Sequence, residues 1–137
     1  MKFVFLSDAF YNLHVNDTEI LQKRNRPYAC VSVKIGASIY AIPLRHHITH
    51  KHSYITYGTC GLDYSKAVMI VKPSDISAMR PTIDTKEFNL LKGKDTVVAN
   101  GMERYIKLYK KALQHRGNPH YDNIVKYSAL QYFARYI

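Results

Sequence analysis

The segment from Arg45 to His52 carries side chains suited to chemistry on a phosphodiester. Within eight residues it holds four of the seven histidines and two cations, namely Arg45, His46, His47, His50, Lys51 and His52. Histidine can take and give a proton near neutral pH, and Arg or Lys can bind phosphate and stabilise developing negative charge. Metal-free RNA cleavage needs both functions, because a base deprotonates the 2'-OH, cations stabilise the phosphorane, and an acid protonates the departing 5'-oxygen.

Two other interpretations of this segment stay open. Histidine-rich stretches often bind metal, and His46, His50 and His52 have the spacing of possible ligands. A metal-dependent nuclease would also need a cluster of carboxylates, and Asp63 is the only acid nearby in the sequence. Alternatively, the segment binds nucleic acid without cutting it. Phosphate binding alone gains little from clustered histidines, so we expect catalysis without a metal or other cofactor.

The composition favours a polyanionic partner. The 137 residues include 20 Lys and Arg against 10 Asp and Glu, which gives a net charge of +10 and a pI near 9.6. Such a balance is typical of proteins that bind RNA, DNA or an anionic membrane. Tyrosines interleaved with cations can stack on unpaired bases. We expect RNA to be bound by Lys23, Arg24, Arg26, Tyr28, His47, His52, Lys107, Lys110 and Lys111.

Length and cysteine content bound the domain count and the compartment. At 137 residues the chain is expected to be one domain with its own core. Its apolar runs are too short for a signal peptide or a membrane span. Cys30 and Cys60 lack the spacing of a disulfide framework and indicate reduced thiols. We therefore expect a cytoplasmic protein.

The order of the elements predicts an α+β fold. Periodicity and capping residues predict strands over 3–6, 28–35, 38–44, 53–57 and 67–71, a turn over 58–61, and helices over 8–14, 84–91, 94–115 and 118–136. Residues 1–76 are thus mainly β and 84–137 mainly helical. This order predicts a small antiparallel sheet curled into a barrel, with helices packed on one side. The hairpin would bring Arg26 and Arg45 to one end, and Pro43 should end its strand or lie at an edge.

Several short motifs, taken in order, resemble one known family. They are Arg26-Pro27-Tyr28, Ala41-Ile42-Pro43-Leu44-Arg45, the following His50, and Gly61-Leu62-Asp63-Tyr64-Ser65-Lys66-Ala67-Val68. Together they resemble the protein toxins of type III toxin–antitoxin systems, in the ToxN/AbiQ-like group and closest to its CptN and TenpN branches. The resemblance covers residues 1–76 well and the C-terminal helices in outline.

This resemblance implies a fold, an activity and a partner. Members have a small SH3-like barrel related to the MazF/Kid toxins, with added helices. They are metal-independent endoribonucleases that cut target mRNA, often at A-rich sites, and leave a 2',3'-cyclic phosphate. Each is inhibited by a small repeat RNA, folded as a pseudoknot, which the toxin processes and with which it closes into a heteromeric protein–RNA ring. Such systems act in plasmid maintenance and phage defence.

Carried over residue by residue, the resemblance implies a catalytic set. His50 matches a family histidine, Lys66 matches a lysine at the start of the next strand, and Ser65 lies beside it. His46 departs from the family pattern, which has a hydroxyl side chain there. The expected catalytic residues are His50, His46, Arg45, Lys51, Ser65 and Lys66, with Arg26 as a further phosphate-binding cation.

Overall fold

The computed structural model describes residues 1–22 and 28–137, and over these residues the chain has an α+β fold. The six strands are β1 (Lys2–Phe5), β2 (Ala29–Ile35), β3 (Ser38–Arg45), β4 (Ser53–Tyr57), β5 (Cys60–Asp63) and β6 (Val68–Ile70). The helices are α1 (Asp8–Leu13), α2 (Thr85–Leu91), α3 (Asp95–Leu113) and α4 (Pro119–Lys126), with 3-10 helices over Tyr64–Lys66, Pro73–Asp75 and Ala129–Tyr136. Among these, no helix combines the length and apolarity needed to cross a membrane.

The sheet is antiparallel and is built around β3. Its strand order is β1-β2-β3-β5-β4, and β6 also pairs with β3. The predicted β2–β3 hairpin is confirmed, with Ile35 opposite Ser38 and Gly36 turning at a φ of 61°. On its other side, β3 pairs first with β6 and then, from Leu44, with β5. This change of partner brings the C-terminal end of β3 beside β5.

The prediction of a closed barrel is wrong for the described chain. Strands β1 and β4 lie at opposite ends of the strand order, and no described pairing joins them. Strands β6 and β5 pair with successive parts of the same side of β3. The sheet therefore splits into two branches at β3 and, over the described residues, does not close. Pro43 lies between these two pairings, where its missing N–H interrupts neither ladder. The strand continues to Arg45, so the prediction that it ends at Pro43 is wrong. Pro43 pairs with Cys30 of β2 and has no described partner on the side of β5 and β6, so this position is locally an edge.

Local capping signals placed most helix starts correctly. The Ser7 hydroxyl accepts a hydrogen bond from the Phe10 N–H, and the Asp84 carboxylate accepts one from Glu87. Asn118 caps α4, and Pro119 occupies its first turn as expected. The last helix is an exception, because α4 ends at Lys126 and a separate 3-10 helix follows. A buried serine, Ser128, starts this second helix by accepting from Leu130 N–H.

Helix α3 supplies the helical side of the core. Its buried residues are Val98, Gly101, Met102, Tyr105, Ile106, Tyr109 and Ala112. The sequence predicts an apolar stripe on this helix at Val97, Val98, Met102, Tyr105, Ile106, Tyr109 and Leu113. Five of these seven residues are buried, whereas Val97 and Leu113 are 48% and 41% exposed. A Cβ at Gly101 would lie 2.2 Å from the Tyr64 hydroxyl oxygen. The glycine therefore admits the Tyr64 ring, whose hydroxyl donates to the Val98 carbonyl at 3.0 Å.

Replacing Gly101 with alanine is expected to lower the free energy of unfolding by about 1–3 kcal/mol, because the added methyl overpacks a buried ring. Alanine would otherwise favour the helix by about 1 kcal/mol, so the predicted sign is the opposite of the propensity effect. Urea unfolding measures the change. Asn100→Ala, on the exposed side of the same helix, is the control and should be neutral or slightly stabilising. A Gly101→Ala protein as stable as wild type would contradict the packing argument.

Candidate functional site

Three side chains meet at the buried carboxylate of Asp63. Arg45 Nη1 lies 2.6 Å from Asp63 Oδ2, and His50 Nε2 lies 3.2 Å from each carboxylate oxygen. The Ser65 hydroxyl donates to Asp63 Oδ1 at 2.6 Å and lies 3.3 Å from His50 Nε2. We call these four residues the Asp63 cluster. It brings together three of the predicted catalytic residues, Arg45, His50 and Ser65, around an acid that the sequence did not assign to the site.

Local structure explains the position of each member. The pairing of Arg45 with Gly61 sets the end of β3 beside β5, two residues before Asp63. Asp63 then caps the 3-10 turn that follows, because its Oδ1 accepts the Ser65 backbone N–H at 2.9 Å. The loop that carries His50 is attached by the Tyr64 N–H, which donates to the His52 carbonyl at 3.0 Å. Two strand ends, one turn and one loop therefore converge on the cluster.

Asp63 is ionised despite its complete burial. Burial alone raises the pKa of this carboxyl, but hydrogen bonds from His50, Ser65 and Arg45 outweigh it and lower the pKa from 3.8 to about 2. The side chain has no exposed surface, whereas the Arg45 and His50 side chains are 28% and 34% exposed. The buried negative charge therefore holds a guanidinium and an imidazole at the protein surface.

This lowered pKa predicts a loss of stability in acid. The folded state binds the Asp63 proton more weakly than the unfolded chain, so its contribution of about 2 kcal/mol is complete above about pH 4. It disappears as the pH falls from about 4 through about 2. Urea unfolding of wild type and Asp63→Ala along this range measures it. The difference between the two proteins should shrink in acid; a constant difference would contradict the assigned charge state.

Both ring nitrogens of His50 are engaged inside the protein. Its Nδ1 lies 3.1 Å from the His52 backbone N–H and must accept from it. The proton of the neutral ring therefore sits on Nε2, which faces Asp63 and Ser65. The geometry differs from a serine–histidine–aspartate triad, because the Ser65 hydroxyl donates to the carboxylate and leaves no proton relay from serine to histidine.

His52 is the second imidazole of the site. Its ring centroid lies 5.8 Å from that of His50 and 5.6 Å from that of Tyr105 on α3. Burial is the main cause that lowers the pKa of His52, and the charges of His50 and Lys51 lower it further, against a smaller opposing effect of Asp63. His52 is thus a half-buried, neutral base at pH 7. The sequence predicted it only as an RNA-binding residue.

The other predicted residues of the histidine segment are His46, His47 and Lys51, all of them exposed. His46 is exposed, and its Nδ1 lies 2.8 Å from the Cys60 sulfur on β5. His47 is exposed, with a left-handed φ of 59°, and Lys51 is exposed beside His50. None of these three has a described hydrogen bond to Asp63. Their side chains could reach a ligand that lies across this surface.

Lys66 is committed elsewhere in the fold. Its ammonium donates to the Glu19 carboxylate at 2.8 Å and to the Tyr127 carbonyl at 2.9 Å. These hydrogen bonds join the segment before β6 to the N-terminal and C-terminal parts of the chain. Tyr28 is 38% exposed before β2. The helical candidates Lys107, Lys110 and Lys111 are exposed on α3. Lys23, Arg24 and Arg26 lie outside the described residues, as does the proposed approach of Arg26 to Arg45.

Asp63 and Cys60 contact predicted site residues but were assigned neither to catalysis nor to RNA binding from the sequence. Asp63 had a local signal, because Asp-Tyr-Ser fits a carboxylate that caps the turn after it. Cys60 was assigned to a turn, whereas only Gly58 and Thr59 separate β4 from β5. In the described part of the chain, no group of three or more His, Cys, Asp or Glu side chains could hold a metal ion.

Comparisons with known proteins found no matching family model, no matching curated protein and no matching solved structure.

Proposed function

We propose that this protein is a metal-independent endoribonuclease. The proposal depends on one observation: the Asp63 cluster holds the Arg45 guanidinium and the His50 imidazole at the surface, with a second imidazole, His52, 5.8 Å from the first. A cation and two imidazoles are sufficient for transesterification of RNA. The net charge of +10 supports a polyanionic substrate.

Each residue has a distinct role in the proposed reaction. Neutral His52 takes the proton of the 2'-OH, whose oxygen attacks phosphorus while the bond from phosphorus to the 5'-oxygen breaks. Arg45 anchors one nitrogen on Asp63 and directs its remaining N–H groups at the phosphorane. His50 acts as the acid: its protonated ring turns one N–H from its partner within the protein towards the departing 5'-oxygen and gives up that proton. The products are a 2',3'-cyclic phosphate and a free 5'-OH. Asp63 and Ser65 are positioning residues that hold Arg45 and His50.

The resemblance to type III toxins adds a cellular role and an RNA partner to the proposal. On that resemblance, the enzyme is a cytoplasmic toxin that cuts target mRNA and is inhibited by a small pseudoknot RNA, which it processes and with which it assembles into a ring. Exposed cations on α3, Lys107, Lys110 and Lys111, are available to such an RNA. Co-expression with candidate repeat RNAs should restore growth of cells that express the protein, and unrelated RNAs should not.

The decisive assay is cleavage of A-rich RNA in EDTA, with identification of the product ends. Products with 2',3'-cyclic phosphate are expected. Cleavage that appears only after a divalent metal ion is added would overturn the metal-independent mechanism.

Replacing His52 with glutamine is expected to slow cleavage by about 100- to 10,000-fold, because a general base is lost. The His52 ring is only half-buried, against Tyr105. Its replacement by glutamine should therefore leave the folded structure nearly unchanged. Single-turnover cleavage rates and circular dichroism measure the two effects. Lys92→Ala, an exposed change at the end of α2, is the control and should cleave at the wild-type rate. Full activity in His52→Gln would exclude His52 as the base.

A second candidate function is RNA binding without catalysis. It is favoured by one observation, that both His50 nitrogens and the Ser65 hydroxyl are engaged within the protein. In that case the Asp63 cluster only presents Arg45 to phosphate. RNA would then be bound tightly and left intact, with affinity falling as salt rises in proportion to the phosphates neutralised.

A further inference from the structure

Two groups of rings border α3, one at the Asp63 cluster and one at the C-terminal end of the helix. The first group is His50 and His52, whose centroids are 5.8 Å apart. On α4, the His120 and Tyr121 centroids lie 5.1 Å apart at 61°, and Tyr121 stacks on His115 at 5.1 Å with 27° between the planes. We call these five residues the ring row. Apart from the half-buried His52 and Tyr121, its members are exposed.

The two halves of the ring row lie within electrostatic range of each other. After burial, which is the larger effect, His120 is among the charges that lower the pKa of His52. Tyr105 of α3 contacts the His52 ring, and α4 packs on α3, so both halves border the same helix.

Positive charge accompanies the ring row. Residues 101–137 contain seven Lys and Arg but only two acids, Glu103 and Asp122. Lys111 Nζ lies 5.8 Å from the Tyr121 ring centroid. Asp122 pairs with Arg116 at 2.9 Å, so this acid is already neutralised within the protein. Flat rings that alternate with cations are the means by which proteins hold unpaired bases and the phosphates between them.

We propose that the ring row binds the unpaired bases of single-stranded RNA, with Tyr121 and His115 forming a base-stacking subsite beyond the cleavage site. The subsite rests on the proposed function, because its neighbour His120 lies within electrostatic range of His52, an imidazole assigned to that reaction. A base stacked on the Tyr121–His115 pair would continue an existing parallel stack, and Lys111 would bind an adjacent phosphate. Duplex RNA keeps its bases paired and cannot use this subsite.

The test measures binding separately from cleavage. Fluorescence anisotropy follows a labelled single-stranded A-rich oligonucleotide with 2'-O-methyl groups, which cannot be cleaved because it has no 2'-OH. Tyr121→Leu, which keeps an apolar side chain, should bind it about 5- to 150-fold more weakly, the value of one base–aromatic stack. His115→Ala, at an exposed position with little effect on folding, should weaken binding in the same direction. Neither variant changes the formal charge, so the salt dependence should stay as in wild type.

Matched controls decide the outcome. Tyr136 is another exposed tyrosine beside a cation, with Arg135 5.6 Å from its ring, and Tyr136→Leu should bind as wild type. The loss should fall below twofold on a duplex of the same sequence. Equal loss on duplex and single strand, equal loss in Tyr136→Leu, or no loss in folded Tyr121→Leu and His115→Ala would overturn the subsite.

Failure of the subsite and failure of the proposed function give different results. If wild type cleaves unmodified RNA in EDTA but the ring variants bind normally, the ribonuclease stands and the subsite falls. If wild type leaves RNA intact while the ring variants lose affinity for the single strand, the subsite stands and the protein is an RNA-binding module.

Discussion

Asp63→Ala is expected to lower the free energy of unfolding by about 3–5 kcal/mol, because it removes one partner of a buried ion pair. Asp63 has no exposed surface and holds Arg45 at 2.6 Å. Its loss also leaves the Ser65 hydroxyl and backbone N–H without their acceptor. Urea unfolding gives the stability change, and the EDTA cleavage assay at a temperature where the variant remains folded should show loss of activity.

A matched comparison separates charge from shape. Asp63→Asn keeps the size of the side chain but turns an amide N–H₂ towards one of the donors, so an intermediate loss is expected. A double-mutant cycle with Arg45→Ala should give a coupling energy above about 1 kcal/mol. If Asp63→Ala unfolds within about 1 kcal/mol of wild type, the carboxylate is not the centre of the site.

Gly61→Ala is expected to have a comparable effect through the backbone, with a loss of about 4 kcal/mol or more. A Cβ at Gly61 would lie 2.2 Å from the Tyr54 carbonyl oxygen and 2.8 Å from the Ile55 Cα. Both atoms belong to the backbone of β4, so relief requires the strands to separate. Because Gly61 also pairs with Arg45, such a shift would displace the Asp63 cluster.

Gly58→Ala is the control for this prediction. Gly58 turns the same hairpin at a φ of 54°, with nothing within 4 Å of a built Cβ. Alanine there should cost only about 1 kcal/mol of left-handed strain. Chemical unfolding of both variants compares the two glycines. Equal losses would mean that hairpin strain, and not the contact with β4, accounts for the Gly61 effect.

Asp63 and Gly61 show how residues outside the histidine segment build a site around it. The predicted histidine segment supplies His50 and the His52 N–H that binds its Nδ1, but the carboxylate that faces Nε2 comes from outside the segment. Strand β5 provides the carboxylate, and the close approach of β4 at Gly61 keeps β5 in place beside β3. The sequence analysis assigned the start of β5 to a turn and so missed the element that orients the predicted side chains.

The amino-acid sequence by itself determined the features that depend on near neighbours in the chain. The β2–β3 turn at Gly36 and the caps at Ser7, Asp84 and Asn118 involve hydrogen bonds or backbone angles within a few residues. The selection of His50 and Ser65 as catalytic candidates also came from the sequence and its family resemblance, and their catalytic roles stay predictions.

The tertiary structure decided the contacts between residues that are far apart in the chain. Arg45 and Asp63 are 18 residues apart, and Lys66 reaches Glu19 across 47 residues. Neither pairing follows from periodicity, because side-chain patterns state which face is buried and not which strand lies opposite. The open sheet has the same origin: β5 and β6 both pair with β3, and only their pairing in space shows that the sheet divides and does not close.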